Sequence, residues 1–189
     1  MNYIIVDLEA TCWENRDGKR NEIIEIGAVS VDKQLKIVGE FGEFVKPKVN
    51  PELSDFCIQL TSIEQSNIDN ASSFLEVIDL FLRWIKSFSG NYILCSWGYY
   101  DRVQFKNDCE LHGLNQDWSN RHISLKHQYG KIKGLRRPPS MKRALKSEKM
   151  PLDGTHHRGI DDARNITKIF QKYYDKWDFD ALFSAQMHN

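Results

Sequence analysis

Asp7 and Glu9 stand two residues apart in Ile4-Ile5-Val6-Asp7-Leu8-Glu9-Ala10-Thr11. The run before them is apolar and β-branched, the pattern of a buried parallel strand. Alternate side chains of a strand share a face, so both carboxylates point the same way. Two acids side by side at the edge of a core repel each other and lose hydration. That is unfavourable unless a cation lies between them. A divalent metal ion is the natural occupant. Capping of a helix, or contact with water, is the plainer account of the same pair.

Two more acidic sites lie downstream. Asp101 closes Trp97-Gly98-Tyr99-Tyr100-Asp101 directly after a short apolar run, where open α/β sheets place their ligands. It opens a helix whose Phe105, Cys109 and His112 follow at helical spacing, which sets Asp101 near the inward stripe. An ordinary acid at a helix N-terminus is the alternative. The third site is His156-His157-Arg158-Gly159-Ile160-Asp161-Asp162-Ala163. Two registers are open, since His156 to Asp161 and His157 to Asp162 have equal spacing. Asp162 shares a helix face with Ile166, Ile169 and Tyr173, whereas Asp161 shares one with Asn165 and Lys168 on the wet side. Asp162 should therefore point inward, with His157 as its partner.

Asp7, Glu9, Asp101 and Asp162 would make an all-oxygen site, which suits Mg²⁺ or Mn²⁺ rather than zinc. Four carboxylates can hold two ions roughly 3.5–4 Å apart, the arrangement used for in-line phosphoryl displacement. Such ions would activate a water, stabilise a leaving 3′ oxygen and neutralise charge on the phosphate. His157, with an unperturbed pKa near 6.5, is suited to take the proton from that water. Glu9 would serve both the metal and the catalysis. The product would be a 5′-nucleoside monophosphate and a strand one unit shorter.

These residues need a scaffold that brings residues 7, 101 and 162 together. Residues 3–9, 22–31 and 36–45 read as three strands joined by hairpins and paired antiparallel. Residues 48–70 read as loops and short helices. Ser72-Ser73 cap an amphipathic helix carrying Phe74, Leu75, Ile78, Phe81, Leu82 and Ile85. Residues 92–96 read as a short buried strand, 100–112 as a helix ended by Gly113, and 123–125 as a short element. Residues 140–148 and 160–174 read as helices, and the tail to Asn189 as another. Hairpins first, then helices alternating with short strands, predict an α/β fold with one mixed sheet flanked by helices.

The 189 residues are expected to form one domain. No apolar run is long enough to span a membrane, and the N-terminus lacks the basic region of a signal peptide. Cys12, Cys57, Cys95 and Cys109 show no zinc spacing and fit reduced thiols of a cytoplasmic protein. The formal net charge is +0, with 26 basic and 26 acidic residues. Yet Arg121, Lys126, Lys131, Lys133, Arg136, Arg137, Lys142, Arg143, Lys146 and Lys149 share one stretch in which Glu148 is the only acid. It reads either as a solvated surface or as a patch that meets phosphates.

The three acidic motifs, in this order and spacing, resemble those of the DEDDh 3′→5′ exonucleases. Asp7-Leu8-Glu9-Ala10-Thr11-Cys12-Trp13, Glu22-Ile23-Ile24-Glu25-Ile26-Gly27-Ala28, Ser96-Trp97-Gly98 and His156 through Asn165 are most similar to the histone-mRNA exonuclease-like branch. The resemblance runs from residue 3 to about 175. It implies a ribonuclease H-like fold, two Mg²⁺ or Mn²⁺ ions on Asp7, Glu9, Asp101 and Asp162, and His157 as general base. It further implies removal of nucleotides from a free 3′ end; the substrate is read as a single-stranded RNA or DNA end, RNA in preference to DNA. A DNA exonuclease of proofreading or repair and a non-catalytic adaptor are the rival readings. Some members of the branch carry a nucleic-acid-binding domain before the core, whereas this chain opens on its first strand. Relatives include monomers and dimers, so oligomeric state stays open. By position, Leu8, Ala10, Thr11, Trp13 and Trp97 would frame the terminal base or sugar, with a core role for Trp97 the alternative. Backbone groups near Ala10 could read a ribose hydroxyl. Leu60, in Leu60-Thr61-Ser62-Ile63, resembles the segment on which the terminal nucleotide packs.

Overall fold

The computed structural model describes residues 1–15 and 17–179. The helix expected in the tail lies, from residue 180 onward, outside the described residues.

Three long strands open the fold: β1 (Asn2–Ala10), β2 (Ile23–Asp32) and β3 (Ile37–Lys46). They pair antiparallel in sequence order, as the hairpin spacing predicts. Two short helices follow, α1 (Asp55–Thr61) and α2 (Gln65–Asp69). A two-residue strand, β4 (Ser72–Ser73), pairs parallel with β3 and leads into α3 (Phe74–Ser87). Ser73 caps α3 in a reciprocal box with Glu76, satisfying two N–H groups that the helix start would otherwise leave free. Next come β5 (Tyr92–Ser96), α4 (Tyr100–Leu111), β6 (His122–Ser124), α5 (Leu125–Ile132), α6 (Met141–Ser147) and α7 (Gly159–Lys172). The sheet order is β4-β3-β2-β1-β5-β6, with β5 parallel to β1 and β6 parallel to β5.

β1 is therefore central, and its alternation divides the core. Tyr3 and Ile5 face one side, packed with Val29, Ile93 and the α7 residues Ala163, Ile166, Ile169 and Phe170. Ile4, Val6 and Leu8 face the other, packed on Phe74, Val77, Ile78 and Phe81 of α3 and on Phe105 and Cys109 of α4. Asp7 and Glu9 continue the Tyr3–Ile5 row, so they emerge on the α7 side.

Two local expectations are corrected. Residues 125–132 are helical, which the sequence reading left out. Leu125 and Tyr129 supply the buried contacts, one turn apart, while Lys126, His127 and Gln128 dilute the apolar period. Asn165 is not on a wet face. It is fully buried, donates to the Asp153 and Asp161 carbonyls, and accepts from the Asp153 N–H and Lys168 Nζ. The segment at Pro151–Asp153 folds back over that face of α7, and a satisfied amide tolerates such burial.

Candidate active site

β1 runs out of the core with Asp7 partly and Glu9 fully buried on the side facing α7. α7 reaches them by an unusually close approach. Gly27 on β2 lies against Gly159, where an added Cβ would fall 2.0 Å from the Gly159 carbonyl carbon. A Cβ on Gly159 would itself come 3.0 Å from the Asp7 carbonyl oxygen. Two glycines thus let the start of α7 rest on the backbone of β1 and β2. Glu25 fixes the orientation. Its carboxylate accepts from Arg158 Nε at 3.1 Å and from the Gly159 N–H at 2.9 Å.

Asp162, one turn into α7, then faces the β1 acids. One carboxylate oxygen from each of Asp7, Glu9 and Asp162 lies within 4.8 Å of the others. Asp101, in the first turn of α4, comes from the opposite flank and accepts the Leu8 N–H at 3.0 Å. Leu8 sits between Asp7 and Glu9 in sequence, so that bond ties Asp101 to the same stretch of β1. The four carboxylates converge from three elements.

Crowding leaves a clear electrostatic signature. Burial, then the charges of Asp101, Glu9 and Asp162, push the Asp7 carboxyl well above the usual carboxylate range. Burial, then Asp162, Glu25 and Asp101, push Glu9 up to about 9. Burial raises Asp101 to about 6 against the pull of its hydrogen bonds, among them the Leu8 N–H. Burial likewise raises Asp162, which His156 partly offsets. Four acids that disfavour one another's ionised forms, offering only oxygen, make a donor set that fits a hard divalent cation.

The two histidines divide their contacts. His156 Nδ1 meets the Asp162 carboxylate at 2.9 Å. His157 donates its backbone N–H to the same carboxylate at 3.1 Å, and its ring stacks on that of His156 with centroids 4.0 Å apart. His157 is partly exposed and adopts φ 65°, a strained conformation for a non-glycine residue. A nitrogen of its ring lies within 4.8 Å of the Asp162 carboxylate and of a His156 ring nitrogen, and burial together with the nearby His156 charge keeps it neutral more readily than a free imidazole. Asp161 turns away, pairing with Arg164 at 3.0 Å and accepting the Thr155 N–H.

The residues expected to frame substrate fall into two groups. Leu8, Ala10 and Thr11 are buried. Leu8 packs in the core, the Ala10 carbonyl faces Cys57 Sγ, and Thr11 Oγ1 accepts the Glu22 N–H. Trp13, Trp97 and Leu60 keep exposed surface. Lys19 lies over the Trp13 ring, 5.1 Å from its centroid. Trp97 donates to the Pro139 carbonyl at 3.1 Å while packing against the core. Leu60 projects from α1, a helix held to the end of β1 by Ser54 Oγ donating to the Cys12 carbonyl. Sequence reasoning assigned nothing to Glu25, Gly27, Arg158 or Gly159. The signals were a buried-strand pattern interrupted by a glutamate and a glycine, which a buried partner and a close backbone approach explain, and the place of all four residues in strings that carry the family resemblance.

Residues 4–170 match a protein-family model described as Exonuclease, named for RNase T. The 3'-5' exoribonuclease 1 of Rattus norvegicus is 34% identical over 175 residues, covering 87% of this chain and 50% of the relative. The chain thus spans about half the length of the curated relatives of that name. The solved nuclease domain of 3'hExo, described as a DEDDh family member bound to rAMP, superposes with TM-score 0.86 at 31% identity over 92% of both chains. A structure described as 3'-end specific recognition of histone mRNA stem-loop by 3'-exonuclease gives TM-score 0.86 and 31% identity, covering 92% of this chain and 81% of that one. The likeness establishes the ribonuclease H-like fold that the motifs imply.

Proposed function

Because the chain belongs to the exonuclease family named for RNase T, we propose that it is a 3′→5′ exonuclease releasing nucleoside 5′-monophosphates from single-stranded ends, RNA in preference to DNA. The observation that carries this reading is the meeting of Asp7, Glu9 and Asp162 within 4.8 Å, with Asp101 bonded between the first two. The preference for RNA is supported by similar proteins described as an exoribonuclease and as bound to rAMP. A cytoplasmic setting is proposed on the four free thiols.

Asp7, Glu9, Asp101 and Asp162 would hold two Mg²⁺ ions, with Mn²⁺ as a substitute. When bound, these would supply positive charge at the scissile phosphate and acidify the attacking water. The protein's own share is positional. Glu25 and the Gly27–Gly159 contact hold Asp162 against β1. His156 steadies the Asp162 carboxylate, with the His157 ring stacked beside it. The His157 ring, kept neutral by burial and by its neighbour's charge, accepts the proton of the water that attacks phosphorus. Leu60 and Trp13 offer apolar and aromatic surface to a terminal nucleotide.

The test is digestion of 5′-labelled RNA and DNA strands of one sequence, with Mg²⁺ and with chelator. A descending ladder, faster on RNA and absent with chelator, is expected. Asp162→Ala should abolish the ladder while the circular dichroism stays that of the parent. Digestion by that variant at the parent rate would refute the assignment.

A further inference from the structure

The basic run of residues 121–149 is not one surface. Glu148, its only acid, is turned inward, where Lys133 at 3.1 Å, Lys172 at 2.6 Å and the Tyr129 hydroxyl consume its carboxylate. Arg136, Arg137, Lys142, Arg143, Lys146 and Lys149 all remain exposed, and none forms an ion pair among the described residues. A net-neutral chain thus carries a belt of six exposed cations without an ion-pair partner among the described residues.

The belt is fixed at two points, one beside the catalytic cleft and one on α5. Pro139 accepts from the indole of Trp97, on the loop that presents Asp101. Pro138 packs on Gly130, where a Cβ would come within 2.9 Å of its ring. The two prolines stiffen the loop carrying Arg136 and Arg137. α6 then buries Met141, Ala144 and Leu145 against the core, which leaves Lys142, Arg143 and Lys146 facing outward. α6 packs against α7, the helix that carries Asp162.

We propose that this belt holds the phosphates of the strand upstream of the bond being cut, so that single-stranded nucleic acid runs from the carboxylate cluster along the 136–140 loop and α6. The proposal rests on the exonuclease reading. Phosphate contacts of this kind ignore base and sugar, so the belt grips RNA and DNA alike and leaves discrimination to the cleft.

The test is fluorescence anisotropy of a labelled single-stranded 12-mer, as RNA and as DNA, in chelator and at several salt concentrations, so that binding is read without digestion. The variant Arg136→Ala/Arg137→Ala/Arg143→Ala/Lys146→Ala should weaken binding of both strands about tenfold or more. Its plot of log affinity against log salt should be shallower by about 3, from four lost phosphate contacts at ~0.7 each. Lysine in place of the three arginines should retain most of the affinity. Removing Lys33 and Lys86, at the far end of the sheet, should change little. Parent-like affinity and salt slope in the fourfold variant, or no binding by the parent chain, would overturn the belt. A chain that binds through the belt yet digests nothing in Mg²⁺ would overturn the exonuclease reading alone.

Discussion

The adjacent histidines pose the sharpest question at the scale of single residues. Equal spacing to two adjacent aspartates left the pairing to helix geometry, which chose Asp162 as the inward acid. Asp162 is indeed buried on the α7 face that meets β1. The ring hydrogen-bonded to it belongs to His156, however, while His157 donates its backbone N–H and brings a ring nitrogen within 4.8 Å. An imidazole hydrogen-bonded to a carboxylate proposed to hold metal is poorly placed to take a proton from water, whereas the neighbouring ring stacks beside it. His157→Ala should therefore cost about 10²–10⁴-fold in kcat, the usual worth of a general base. His156→Ala should cost less, and should act mainly through the Mg²⁺ concentration needed for half-maximal rate. If the two substitutions exchanged these effects, the roles assigned here would be reversed.

The decisive elements are β2 and α7, not the motif-bearing loops. Gly27 admits the α7 backbone, and Glu25 holds its first N–H. Gly27→Ala forces backbone atoms apart, because no flexible side chain stands in the way to yield. The expected cost is at least about 3 kcal/mol, the upper part of the range for overpacking. It should appear as a lower midpoint in urea with the slope unchanged. Activity should fall too at temperatures where the variant is still folded, since Asp162 is lifted from β1. A variant with parent stability would mean that α7 docks by other contacts.

For the molecule as a whole, Glu148 joins α5, α6 and α7. Burial opposes its charge, but hydrogen bonds from Lys172, Tyr129, Tyr173 and Lys133 together hold its carboxyl down at about 2, against 4.5 when free. A carboxyl depressed on folding stabilises above its unfolded pKa and loses that contribution as pH falls toward the folded value. The stability difference between the parent and Glu148→Gln should hence be constant above about pH 5 and shrink between pH 4.5 and 2. Chemical denaturation across that range measures it, and a difference independent of pH would deny the linkage. The carboxylates of the cleft, raised rather than lowered, work in the opposite sense, so the comparison with the variant is needed to isolate Glu148.

Local patterns sufficed for much of this protein. Continuous apolar runs in residues 3–9 and 22–31, a serine cap before Phe74 and a helical stripe through Ile166 and Ile169 each depend on neighbours along the chain. They marked every strand but β4, most helices and four acids of one kind of chemistry. The α5 helix escaped because its apolar residues are few, and Asn165 was misplaced because the segment covering it comes from a separate turn. Tertiary structure alone decided which histidine ring engages Asp162, which cation in the basic run is consumed by Glu148, and that Gly27 and Glu25 seat α7. These outcomes depend on atoms brought together from more than a hundred residues apart in places such as Glu25 and Gly159. No periodicity records such a meeting, since close packing and paired charge are properties of the folded interior rather than of the chain order.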